Sequence, residues 1–220
     1  MRSYHQYCAF ARALDIIGDR WTLLIIRELL LRDSRYSDLQ DALPGIATNL
    51  LADRLRMLQS AGLVEPYEAP PPVRATVYRL TPRGIDLRPA VRAMVAWGLP
   101  LLASGQEDDV FRTQWLVAEL RVMFEGVEAS DLEPLDVVIE TGSEPASISI
   151  GESGLTVSLG ASSREPLVRI QGGPERVFAL LSGAEPSPEG VSVEGSHDSL
   201  RRLRTLIKRA SAKAQSTAAR

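Results

Sequence analysis

Residues 37–62 read SDLQDALPGIATNLLADRLRMLQSAG. Ser37 stands at the cap position of a short helical run, residues 37–43, that Pro44-Gly45 stops. A second run, residues 48–61, begins at Thr48 and is closed by Gly62. Within it Leu51, Leu55 and Leu58 recur at the spacing of one helical face, which leaves Asn49, Asp53 and Arg56 on the opposite side. Working outward, residues 21–31 are apolar apart from Arg27 and Glu28, and they predict a buried central helix with Asp19 as its N-cap. Residues 4–17 carry Tyr7, Phe10, Ala11, Leu14 and Ile17 on one stripe of an earlier helix that Gly18-Asp19 interrupts. A buried helix followed by two helices around a tight turn predicts a helix-turn-helix, the motif whose second helix lies in the major groove of DNA.

Downstream, residues 63–68 and 75–80 are strand-like runs on either side of the proline-rich Ala69-Pro70-Pro71-Pro72-Val73-Arg74, so they predict a wing. Thr81-Pro82 supplies a cap and a first-turn proline for a long helix. Ile85, Leu87, Val91, Met94, Val95, Leu99 and Leu102 form its apolar face. So small a domain has little core left to cover that face, which predicts a dimer.

The DNA-reading chemistry follows from the same pattern. Thr48 and Asn49 sit in the first turn of the second helix, where base edges come within reach, and an Asn amide can bond adenine N6 and N7 together. Arg56 is expected at phosphate. Asp53 either accepts from a cytosine amine or orients Arg56 across an i,i+3 pair. Arg35, Tyr36 and Ser37 at the start of the short helix, and Arg74 and Arg79 in the wing, suit phosphate or a narrow minor groove. A solvated helix face is the plain alternative for the helix residues, and ordinary surface solubility for the wing arginines.

The chain has 220 residues, 45% hydrophobic and 24% charged, with one Cys and two His. Disulfide frameworks, zinc cages and full-length disorder are excluded by that composition. No apolar run approaches the roughly 20 residues of a membrane span, and the N-terminal residues lack a signal-peptide core, so a cytoplasmic protein without a membrane partner is expected. The net charge of −3 hides an asymmetry. Residues 1–105 carry 13 Arg and no Lys against 10 acids, whereas residues 106–220 carry 12 basic against 18 acidic groups. The small, acidic stretch at residues 103–109 places the domain boundary, giving a DNA-binding and dimerisation domain at 1–105 and a second domain at 106–220.

The segments Tyr7-Cys8, Ala11-Arg12-Ala13-Leu14-Asp15, Gly18-Asp19-Arg20-Trp21-Thr22-Leu23-Leu24, Arg35-Tyr36-Ser37-Asp38-Leu39, Leu43-Pro44-Gly45-Ile46, Asn49-Leu50-Leu51 and Ala61-Gly62-Leu63-Val64 resemble the HxlR family of bacterial winged-helix transcription regulators. The resemblance spans about the first 100 residues. It implies a homodimer, paired through the first and last helices of this domain, on an inverted-repeat operator. It also departs from the family at Ala47, where Ser or Thr is usual before the recognition helix; a missing cap costs about 0.5–2 kcal/mol. HxlR-like proteins often carry a cysteine at the position of Cys8, which in some members senses oxidants. His5 and Arg12 are expected on the same helical side as Cys8, where positive charge favours the thiolate. A buried packing role in the dimer interface is preferred here to a redox role.

In the second domain a helix at 110–124 precedes strands at 135–140, 146–150, 155–159 and 167–170. A helix at 175–181, a strand at 191–193 and an amphipathic helix at 197–212 follow. Gly173-Pro174, Leu180-Leu181-Ser182-Gly183, Val193-Glu194-Gly195 and Leu200-Arg201-Arg202-Leu203 resemble a sterol carrier protein type 2-like domain, an α+β fold with a mixed sheet and packed helices, over roughly residues 107–210. The resemblance implies a pocket for a fatty-acid-like or other apolar small molecule. Ile148, Ile150, Val157, Leu159, Ile170, Phe178 and Leu181 are its expected lining. Alternatively these side chains fill a solid core, and the domain is a ligandless dimerisation or partner-docking module. An enzyme is not expected: no nucleophile–base pair, metal-ligand spacing or phosphate loop occurs, and no cofactor is called for. The basic run Arg201, Arg202, Arg204, Lys208 and Arg209 is read as a solvated face, with DNA contact as the alternative.

Overall fold

The computed structural model describes residues 3–70, 75–104, 110–142, 144–152, 154–162 and 164–218. The chain forms two compact units, Met1–Met94 and Val95–Arg220, dividing inside a helix upstream of the acidic stretch.

The first unit contains α1 (Ala9–Ile17), α2 (Thr22–Leu31), β1 (Ser34–Arg35), α3 (Tyr36–Ala42), α4 (Thr48–Ser60), β2 (Val64–Glu68), β3 (Thr76–Leu80) and α5 (Pro82–Ile85), and it takes in the start of α6 (Arg88–Gly98). Ile25, Ile26 and Leu29 of α2, Leu39 of α3, and Leu51, Leu55 and Leu58 of α4 close one hydrophobic core. The helical leucine stripe therefore faces inward as its spacing requires. Gly45 and Gly62 lie at φ 86° and 69°, left-handed values that a side chain would strain, and they end α3's turn and α4 respectively. β2 and β3 pair antiparallel with Val64 opposite Leu80, and the two-residue β1 joins the other side of β3 with Ser34 opposite Tyr78. That third strand is too short to carry a sequence period.

Three local expectations are corrected. The first helix begins at Ala9 rather than at residue 4, because Asp15 accepts from Tyr4 N at 2.8 Å and from Ser3 Oγ at 3.0 Å and folds the leading segment back along the helix. Cys8 is then the extended N-cap and His5 sits at φ 54°, so His5, Cys8 and Arg12 do not share a helical side. Asp19 does not cap α2: Trp21 does, at φ 78°, and the Asp19 carboxylate instead meets Arg54 of α4 at 2.9 Å. The long helix after the wing is broken. Thr81 caps α5 by accepting from Gly84 N at 3.1 Å, as its position predicts, but α6 starts afresh at Arg88 and gives way to a 3-10 turn, Leu99–Ser104. Pro89 and Pro100 lack the N–H that a continuous helix needs at those points.

The second unit adds α7 (Thr113–Met123), β4 (Leu135–Glu140), β5 (Ala146–Gly151), β6 (Gly154–Leu159), β7 (Val168–Gln171), α8 (Pro174–Ser182), β8 (Ser192–Gly195) and α9 (His197–Ala218). Its sheet runs β6-β5-β4-β7-β8. β4 and β7 are parallel and every other neighbour is antiparallel, so the sheet is mixed. The central β4 is buried from Leu135 through Ile139, which explains why its sequence does not alternate. Leu116 and Leu120 of α7, Leu181 of α8 and Leu206 of α9 close the core with Ile148 and Ile170 of the sheet. Buried Asp136 is satisfied by Ser149 at 2.7 Å and Ser162 at 2.9 Å.

Two ion pairs tie α9 to the loop before β4: Arg202 meets Glu133, and both terminal guanidinium nitrogens of Arg209 reach the Asp131 carboxylate, at 2.6 and 2.7 Å. Those hydrogen bonds hold the Asp131 carboxyl down from its ordinary 3.8 to about 2. A depressed carboxylate stabilises the fold above its unfolded value and loses that contribution as pH falls through the folded one. Asp131→Asn is therefore expected to unfold more readily than the parent at neutral pH, and the difference should close between pH 4 and 2. Thermal unfolding across that range checks it.

Candidate nucleic-acid interface

α4 projects its first turn outward. Thr48 and Asn49 are exposed at its start, and Asp53 and Arg56 are exposed further along the same side. Ala47, the N-cap residue, offers no side-chain hydrogen bond. The start of α4 is held from α3 instead. The Tyr36 hydroxyl donates to Thr48 O at 2.6 Å, while Gln40 Nε2 donates to Ile46 O at 3.2 Å and Thr48 Oγ1 at 3.3 Å. Tyr36 and Gln40 thus position the first turn of the second helix across the turn of the motif. Tyr36 was expected at DNA, and its hydroxyl is turned to this bond. Gln40 escapes a sequence reading because its position in a short helix carries no signature of the carbonyl it will meet. Tyr36→Phe removes the 2.6 Å bond and should cost about 0.5–1.5 kcal/mol of stability. Hydrogen exchange at the first turn of α4 should rise with it, and unchanged exchange there would show that the bond does not hold the helix start.

Asp53 Oδ1 lies 2.9 Å from Arg56 Nη1, an i,i+3 pair between exposed groups. Such a surface pair contributes little to stability, but it limits where the guanidinium can point. Arg54, one residue away, turns back to Asp19 and anchors α4 to the α1–α2 turn. Arg35 and Ser37 are exposed at the start of α3, and Arg35 N donates to Asp38 Oδ2 at 3.0 Å, capping that helix. In the wing Arg79 pairs with Glu65 at 2.7 Å and lies 4.9 Å over the Tyr67 ring. Tyr67 donates to Asp33 at 3.0 Å, which pushes its hydroxyl above the ordinary phenol range. Arg79 is therefore engaged within the wing. The tip residue Arg74 lies outside the described residues. Thr48, Asn49, Asp53 and Arg56 come together on one helix face; Arg35 ends β1 and caps α3, Ser37 lies on α3, and Arg79 on β3.

The second unit holds a pocket of about 470 Å³ between α7, α8, α9 and the 3-10 turn. Its position differs from the one expected. Ile148, Ile150, Val157, Ile170 and Leu181 are buried in the core, and Leu159 packs against that core from β6. Of the seven expected lining residues only Phe178 reaches the pocket. The inward faces of both sheet and helices are consumed by packing, so the open volume lies among the helices. On α9, Arg201 and Arg202 pair with Asp198, and Arg209 with Asp131, while Arg204 and Lys208 are exposed. Among the described residues no group of three or more His, Cys, Asp or Glu is placed to hold a metal ion, and no helix is long and apolar enough to cross a membrane.

A helix-turn-helix with an exposed first turn on its second helix and a β2–β3 wing defines a winged helix-turn-helix protein. The HxlR-like helix-turn-helix family model matches residues 16–105. The HTH-type transcriptional regulator YvaP of Bacillus subtilis is 36% identical over 89 residues, which are 40% of this chain and 82% of YvaP. Rv3095 of Mycobacterium tuberculosis, also an HTH-type transcriptional regulator, is 43% identical over 89 residues, 40% of this chain and 54% of its own length. The chain thus spans about half the length of that mycobacterial relative. A solved structure of the reduced form of the regulator YodB from B. subtilis aligns at 28% identity and a TM-score of 0.39, covering 46% of this chain and 100% of that one. The chain belongs to the HxlR-like helix-turn-helix family, whose members named here are transcriptional regulators.

Proposed function

We propose that the chain is a cytoplasmic transcription regulator that binds an inverted-repeat operator as a homodimer, with an apolar small molecule in the second unit setting its DNA affinity. The observation that carries the DNA reading is the exposed Thr48 and Asn49 at the start of α4, held by Tyr36 and Gln40 above a leucine stripe that is buried. Asn49 reads bases, and Arg35 and Arg56 supply phosphate contacts with Ser37 beside them. Pairing is supported by large side chains left uncovered in the single chain. Tyr7 and Phe10 near α1 are exposed, as are Met94 and Trp97 of α6. Unmatched apolar groups of that size mark a surface that another protein covers. Cys8, a free and exposed thiol at the N-cap of α1, takes a packing role in that interface.

The second unit supports ligand control through its pocket, which falls within the size range of small-molecule sites. Its mixed sheet with packed helices is also what a sterol-carrier-like domain requires. A ligand changes DNA affinity only by the difference between its binding to the two states. The test is selection of bound duplexes from a randomised pool, followed by native mass spectrometry and titration in rising salt. Two copies of the chain on one palindromic duplex, with affinity falling steeply as salt rises, are expected. A single copy bound, or recovery of duplexes with no common sequence, would contradict the reading.

A further inference from the structure

Trp21 holds a left-handed backbone, at φ 78°. A side chain of that size disfavours such a conformation, which persists only where surrounding contacts impose it. Here they come from α4 and the turn before it. Arg54 Nη1 meets Asp19 Oδ2 at 2.9 Å, and Arg54 Nε donates to Arg20 O at 3.4 Å. A Cβ built on Gly45 would lie 3.9 Å from Trp21 Cη2, so the indole ring lies beside the turn between α3 and α4. The α1–α2 turn is thus fastened along α4. Arg54 follows the outward Asp53 and precedes the buried Leu55, which places the attachment on the flank of that helix. On this turn the Arg20 side chain is exposed, and its guanidinium lies 5.5 Å over the Trp21 ring. The adjacent carboxylate, Asp19, is taken by Arg54.

From this arrangement we infer that Arg20 is a phosphate anchor for DNA, held by Trp21 and placed by the α1–α2 turn on the flank of the base-reading helix. A ring beneath the guanidinium engages only its face. The in-plane N–H donors stay free, in the fork that matches phosphate oxygens. Stacking also restricts the side chain before DNA arrives, which lowers the ordering cost of binding. A helix lying in the major groove has phosphates along its flanks, so a residue fastened beside α4 meets backbone rather than base edges. With Asp19 and Arg54 offsetting each other, Arg20 leaves the turn with a net positive charge. The inference rests on the DNA-binding reading and adds to it a contact outside the α3–α4 pair.

The experiment measures the affinity of the full chain for a selected operator and for random duplex across a salt series. Arg20→Gln keeps the backbone carbonyl that Arg54 uses and alters only an exposed side chain. It should weaken both duplexes alike, by about tenfold, and reduce the salt slope by about one for each copy of the chain bound. Arg20→Lys, which restores the charge, should restore the slope. Arg204→Gln removes the same charge from an exposed position on α9 and should change neither affinity nor slope. An unchanged affinity or slope in Arg20→Gln, a loss confined to the operator, or the same loss in Arg204→Gln would overturn the inference. Operator preference that is equal in the parent and in Arg20→Gln, with equal affinities, contradicts the anchor and leaves the regulator reading standing. A parent chain that binds neither duplex contradicts that reading and the anchor with it.

Discussion

Leu55→Ala should remove about 2–5 kcal/mol from the first unit. Leu55 is 2% exposed and lies in the leucine stripe between Leu51 and Leu58, which are themselves fully buried. Truncation leaves a cavity against α2 and α3 side chains that belong to the same core. A unit of this size commonly holds on the order of 5–10 kcal/mol in total, so the loss takes a large share of it. DNA binding should fall with it, because the same helix presents Asn49 on its other face. Denaturant titration followed by a signal from the first unit measures the loss. A change below about 1 kcal/mol would mean that α4 is not packed through this stripe.

Gly84→Ala is expected to be nearly as damaging, although it adds a single carbon. A Cβ built on Gly84 would lie 2.1 Å from the backbone oxygen of Leu63 and 3.0 Å from Leu80 Cδ2. Neither neighbour is a free side-chain end in solvent: Leu63 O accepts from Thr81 N at 3.0 Å, and Leu80 is buried. α5 docks here through Thr81 Oγ1, which donates to Gly62 O at 2.7 Å, and through Arg83, which donates to Ala61 O at 3.0 Å. The added methyl must push α5 away from the turn that ends α4 and opens the wing. The cost should reach about 3 kcal/mol, the upper part of the overpacking range. Thermal unfolding compared with Gly62→Ala separates crowding from backbone strain, since Gly62 lies at φ 69° with open space around its missing side chain.

These two sites show what the sequence makes legible. The leucine stripe of α4, the Gly62 stop, the Thr81-Pro82 cap and the alternating strands of the second unit are all local patterns, and each is where the spacing places it. The failures have a common cause in contacts distant along the chain. Asp15 folds residues 3–8 back on α1, Asp19 serves Arg54 rather than a helix end, and Gln40 reaches the start of α4. The pocket is the same case at larger scale. Apolar alternation marks which strand residues turn inward, but it is silent on whether they meet other side chains or empty space. Ile148 and Ile170 meet side chains, and the open volume lies on helix faces.

The central claim is that the first turn of α4 reads bases. Its most direct measurement is the affinity of Asn49→Ala and of the parent for a selected operator and for random duplex at one salt concentration. Asn49 is exposed and off the core face, so its replacement leaves the fold intact. The account predicts a loss of about 1–3 kcal/mol on the operator and little change on random DNA. An equal loss on both duplexes, or none on the operator, would contradict it.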